Sequence, residues 1–102
     1  MKIVYKAPDE FPKVMDVENE LDDLQYLVGG NIEYVEFDKD LAFVVNEDGE
    51  VLGLAPNVYS PNWQLLKGPV LVVAFGSENL RSMTDYEIRF AREYLEEMEV
   101  ME

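Results

Sequence analysis

The sequence predicts an α+β fold: a mainly antiparallel sheet of about five to six strands carrying two helices, both expected on one face. Short apolar segments bounded by Gly, Pro, Asn and Asp predict the strands. Two segments, near 21–28 and 84–98, repeat their apolar residues at helical spacing instead. Short connections then favour antiparallel neighbours. With 102 residues, 48% of them apolar, the chain can bury one ordinary core, so a single domain over 1–102 is expected. A net charge of −14 invites the question of disorder, but 12% aromatic content and abundant Val, Leu and Ile argue for a folded body.

Lys2 to Lys6 and Lys13 to Val17 read as two strands joined across the turn-rich Ala7-Pro8-Asp9-Glu10-Phe11-Pro12. Leu21, Leu24, Leu27 and Val28 recur at helical spacing, with Asn19 as expected N-cap and Gly29-Gly30 as the left-handed stop. Ile32, Tyr34, Val35 and Phe37 form a strand in which Glu33 and Glu36 break strict alternation, predicting a bulge or a register change. Leu41 to Val45 is continuously apolar, as in a strand covered on both faces. Asn46-Glu47-Asp48-Gly49 then predicts a tight hairpin into a strand over Glu50 to Leu54. Ala55 to Gly68, with Pro56, Asn57, Ser60, Pro61 and Asn62, reads as a long loop. Val70 to Phe75 is another buried strand.

Thr84 and Glu87 make the T-x-x-E capping box of the last helix, whose Ile88, Ala91, Leu95 and Met98 share one face. Tyr86, Phe90 and Tyr94 flank that face and are expected to widen the buried stripe.

Chemistry is limited by what is missing. There is no histidine, the commonest general base, and no cysteine, so thiolate catalysis, thiolate metal sites and disulfides are excluded. Ser60, Ser77 and Ser82 lack both a histidine and a G-x-S-x-G elbow. Asn46, Asp48 and Glu50 resemble the start of a calcium loop, yet its sixth and twelfth positions are Val51 and Asn57 rather than Gly and Glu. Gly29-Gly30 follows a helix, so it is no phosphate loop. No catalytic residue, metal site or cofactor is expected, and the protein reads as a binder. Without cysteines, a secretory leader or an apolar stretch of about 18 residues, a soluble cytoplasmic protein with no membrane partner is expected.

Two features invite a partner. Residues 9–50 hold 14 acids against Lys13 and Lys39, whereas 51–82 hold only Glu78 against Lys67 and Arg81. Direct nucleic-acid binding is disfavoured for want of clustered Lys and Arg, and basic partners are favoured. The candidate acidic face is Asp16, Glu18, Glu20, Asp22, Asp23, Glu33 and Glu36. It reads either as a solvated surface or as an imitation of a phosphate backbone that fits a basic groove. The second feature is the neutral 54–68 segment. There Asn57, Tyr59 and Trp63, with Asn46 nearby, suit a small ligand, while turn shaping and core capping account for the same residues equally well.

Val28-Gly29-Gly30, Ile32-Glu33-Tyr34-Val35, Asn46-Glu47-Asp48-Gly49, Leu52-Gly53-Leu54-Ala55-Pro56-Asn57, Gly68-Pro69-Val70-Leu71-Val72-Val73 and Ser82-Met83-Thr84-Asp85 occur in one ordered set. In that order they resemble the small family catalogued as domain of unknown function number 3846. Asn46, Gly49 and Asn57 match its pattern. The resemblance supplies no catalytic residues. It implies a phage or mobile-element accessory protein, sometimes found beside antirestriction domains. The expectation is a counter-defence inhibitor, of anti-CRISPR or antirestriction type, that binds a basic, nucleic-acid-binding host defence protein in the host cytoplasm. The alternative is an oligomeric binder that sequesters a small ligand at the Asn57 to Gly68 segment.

Overall fold

The computed structural model describes residues 1–18 and 20–101, so the expected Asn19 cap lies outside the described residues. The elements run β1 (Lys2–Lys6), β2 (Lys13–Asp16), α1 (Leu21–Val28), β3 (Ile32–Asp38), β4 (Leu41–Asn46), β5 (Pro56–Tyr59), β6 (Leu65–Lys67), β7 (Val70–Phe75), β8 (Leu80–Arg81) and α2 (Asp85–Glu97). The main sheet has the order β2-β1-β7-β4-β3, with β8 also paired to β7, and every pairing is antiparallel. β4 and β7 stand near its centre as continuous apolar runs; all of β4 is buried, and all of β7 up to Ala74. The register of β3 on β4 shifts between Glu36 and Asp38, in line with the expected bulge or register change.

Alternation along each strand sorts the core into two layers. Val4, Val35, Phe37, Phe43, Val45, Val72 and Ala74 face α2, where Ala91 and Leu95 complete the packing. Ile3, Ala42, Val44, Leu71 and Val73 face α1 through Leu24 and Val28. The helices therefore lie on opposite faces, where a shared face was expected. The reason is in β4 and β7: a strand apolar at every position exposes an apolar surface on both sides, and each side needs a cover.

The cover is unequal. α2 shares its face with the β5–β6 hairpin, which contributes Val58 and Leu66 to that core. The residues after α2 then close on β5, with Tyr59 N–H donating to the Met98 carbonyl at 3.1 Å and Val100 N–H to the Asn57 carbonyl at 2.9 Å. Phe37 anchors this layer, stacked on Phe43 at 4.3 Å and packed against Tyr94 at 4.7 Å and Phe90 at 5.6 Å. Of the expected aromatic row, Phe90 and Tyr94 join the core, while Tyr86 stays exposed.

Residues 46–68 depart from expectation. Glu50 to Leu54 is not a strand: both sides of β4 are already taken, by β3 and β7, so a hairpin partner has no edge to pair with. The segment instead winds through successive turns, with Leu52 N–H donating to the Asp48 carbonyl at 2.8 Å and Leu54 N–H to the Gly49 carbonyl at 2.9 Å. The expected loop over Ala55 to Gly68 contains the β5–β6 hairpin. Pro56 stands at the start of β5, a strand position that needs no N–H, and this concealed the strand behind a turn-like composition.

The Thr84 capping box forms as expected, and Glu87 also anchors β8. Thr84 Oγ1 accepts from Glu87 N–H at 3.1 Å, Glu87 Oε1 accepts from Thr84 N–H at 2.9 Å, and the Arg81 guanidinium donates to both Glu87 oxygens at 2.7 and 2.8 Å. At the other helix, Gly29 takes the left-handed conformation, with φ 81°.

Arg81 and the cap hold the Glu87 carboxyl down at about 2 from an ordinary 4.5. A depressed carboxyl stabilises the fold above its unfolded value and loses that contribution as pH falls through the folded one. Acid titration followed by circular dichroism should therefore show stability falling from about pH 4.5 toward about 2, and Arg81→Gln should flatten this part of the profile. Thr84→Ala should cost about 1 kcal/mol in urea melts near neutral pH.

Candidate functional site

Residues 14–38 carry eight carboxylates and no Lys or Arg, and the fold places them on β2, on α1 and its approach, and on β3. Of the seven candidate acids, all are exposed except Asp23, which is half-buried. Asp16 accepts an ion pair from the Met1 ammonium at 2.9 Å, and this hydrogen bond lowers its pKa. Asp23 Oδ2 accepts from the Glu18 N–H at 3.1 Å, which ties the approach of α1 to its first turn. Glu20 and Asp22 lie at the start of α1, where the helix dipole favours negative charge. Glu36 is on the α1 face of β3, because it pairs with Ala42 of that core layer. Glu33 points to the other face, beside Val35, and lines a groove with Glu47, Glu50 and Lys67. The structure thus gathers six of the seven on the α1 side and separates Glu33.

Among the described residues the ion pairs are Met1–Asp16, Lys6–Glu99 and Arg81–Glu87. Among these pairs, only Met1–Asp16 involves the acidic sector. No group of three or more carboxylates among the described residues is placed to hold a metal ion.

The alternative ligand residues have different surroundings. Asn57 is fully buried: its Nδ2 donates to the carbonyls of Lys6 at 2.8 Å and Gly68 at 2.9 Å, and its Oδ1 accepts from Lys6 Nζ at 2.6 Å. Lys6, itself 1% exposed, also pairs with Glu99 at 2.7 Å. This network joins β1, the β5–β6 hairpin and the segment after α2. Asn46 Nδ2 donates to the Val28 carbonyl at 3.1 Å and its Oδ1 accepts from Asp48 N–H at 2.7 Å, tying the end of α1 to the turn after β4. Gly30 allows this approach, since a Cβ there would stand 2.9 Å from Asn46 Nδ2. Both asparagines are structural ties with their amide groups engaged.

Tyr59 and Trp63 lie at the hairpin tip, edge to face at 5.9 Å. Trp63 is 70% exposed with φ 63°, a left-handed conformation that glycine adopts more readily. It does not cap the core. The four candidates therefore do not converge on one cavity.

Sequence reasoning missed a groove of about 280 Å³ on the α1 face, walled by Leu21 and Leu24 of α1 and floored by Tyr34, Phe75 and Leu80. Tyr34 and Phe75 pack at 5.6 Å yet remain 47% and 39% exposed. The cause is length: α1 has 8 residues and spans about 12 Å, while β3 has 7 and spans about 23 Å, so the helix cannot cover its face. The only sequence signal was an aromatic between acids on an edge strand.

Over residues 1–99 the chain matches the family described as domain of unknown function (DUF3846), and it belongs to that family. No curated protein and no solved structure matches it. Among the described residues, no helix is long and apolar enough to cross a membrane.

Asn57→Ala should destabilise the fold by about 2–4 kcal/mol in urea melts, because two carbonyls and the Lys6 ammonium lose a buried partner. Trp63→Gly should leave stability unchanged or raise it by up to about 1 kcal/mol, since glycine relieves the left-handed backbone while little burial is lost.

Proposed function

We propose that this family member is a non-enzymatic binding protein whose acidic α1 side occupies the nucleic-acid-binding surface of a basic host protein, as a counter-defence inhibitor of a phage or mobile element. The observation that carries this reading is the uncompensated acidic sector: eight carboxylates in 14–38, of which one meets a cation among the described residues. Clustered acids repel one another and weaken a small fold, and a basic partner relieves that repulsion. Duplex DNA offers a basic groove about one charge per 1.7 Å, and closely spaced carboxylates on an exposed helix and strand present a comparable field. The phage or mobile-element setting implied by the family resemblance would place the target in the host cytoplasm and fits a counter-defence role. Asn46 and Asn57, engaged in structural ties, leave the small-ligand alternative with less support.

The test is retention of host proteins on the immobilised protein at about 50 and 300 mM salt. Basic nucleic-acid-binding proteins should be held at low salt and released at high salt. A combined Glu20→Gln, Asp22→Asn and Glu36→Gln variant should bind at least about 10-fold more weakly, with its melting curve preserved, because among the described residues these exposed side chains make no hydrogen bond. Undiminished binding by that variant would sink the reading.

A further inference from the structure

Among the described residues, no strand pairs with the outer edge of β3. Glu47 N–H donates to the Asn31 carbonyl at 2.8 Å, which makes 31 and 47 a hydrogen-bonded pair, and the register runs unshifted from Ile32↔Asn46 to Glu36↔Ala42. Hydrogen-bonded and non-bonded pairs alternate in an antiparallel ladder. Val35 and Glu33 therefore bond β4, while the backbone N–H and C=O groups of Ile32, Tyr34 and Glu36 point away from it. The other side of β4 agrees. Phe75 N–H donates to the Asp40 carbonyl, so Ala42 and Val44 bond β7 and leave Phe43 and Val45 to β3. β3 ends the sheet, so its outward groups meet no strand among the described residues.

We propose that this edge receives an extended segment of the basic partner as an added strand, with an aliphatic side chain of that segment packed against Tyr34 at the rim of the adjoining groove. This inference rests on the acidic-face reading and names how the partner engages. Side chains of an added strand alternate between the two faces. On the α1 face they meet the half-exposed Tyr34, whose ring packs on Phe75 two strands further in. They also meet Glu36, and on the opposite face Glu33. An alternating aliphatic and Lys or Arg sequence fits both sets. The same acids disfavour a second copy, since two chains of net charge −14 would align acidic edges.

The probe is a capped synthetic peptide of about eight residues alternating Val and Lys, compared with the same peptide N-methylated throughout, which keeps its charge but cannot join a ladder. With the unmodified peptide, hydrogen exchange followed by NMR should slow at least about 10-fold at the Tyr34 and Glu36 amides. Glu36→Pro removes an outward donor and spares the β4 ladder. It should weaken peptide binding at least about 10-fold, against about 3-fold or less for Glu36→Gln at about 150 mM salt. Ile32→Pro serves the same purpose if Glu36→Pro fails to fold. Equal binding of both peptides without protection on β3 would overturn the added strand and leave the acidic-face reading standing. Protection of the same amides without peptide, with dimers in sedimentation, would overturn it in favour of a second copy. Lack of binding by either peptide at low salt would overturn it too, while the acidic-face reading is judged separately by salt-dependent retention of host proteins.

Discussion

β4 and β7 lie side by side, paired from Leu41↔Ala74 to Val44↔Leu71, and are apolar on both faces. Most of the architecture follows from that pair. A sheet centre that is hydrophobic above and below cannot leave either side to water, so one helix is needed on each face. β1 and β3 extend the pair outward, and their alternating residues divide between the two layers. The thicker layer holds α2, the β5–β6 hairpin and the Phe37 aromatic cluster. The thinner one rests on the two turns of α1.

Polar ties hold the peripheral pieces in place. The Lys6, Asn57 and Glu99 network fixes the hairpin and the terminal segment against β1 inside an otherwise apolar layer. Every buried side-chain polar atom among the described residues has a hydrogen-bond partner, so burying an ammonium and an amide there leaves no donor or acceptor unmet. Asn46 does the corresponding work between α1 and the turn after β4. Arg81 and Glu87 join β8 to the start of α2.

The thin layer is also the acidic one. α1 leaves Tyr34 and Phe75 half uncovered, and the carboxylates of Glu20, Asp22 and Glu36 on that side of the molecule have no counterion among the described residues. Apolar surface rimmed by one sign of charge favours association with a surface of the opposite sign and discourages self-association. The edge of β3 that pairs with no strand among the described residues borders the same surface.

Much of the fold was legible in local patterns. The capping box at Thr84, the left-handed stop at Gly29, the bulge in β3 and the doubly buried runs of β4 and β7 are set by neighbouring residues, so composition and spacing revealed them. The acidity was legible as well, because charge is a property of the chain. Tertiary structure alone decided which strand edges were occupied. Val51 and Leu52 resemble strand residues, but β3 and β7 take both sides of β4 and leave them in a turn. Conversely, a proline-bearing loop became a hairpin because the α2 face had room for it. The separation of Glu33 from Glu36, the burial of Asn57 and the exposure of Trp63 likewise depend on contacts between residues far apart in the chain. The 16–36 sequence carried the charges of the candidate surface and its Tyr34; the shortness of α1 against β3 is what left Tyr34 and Phe75 open.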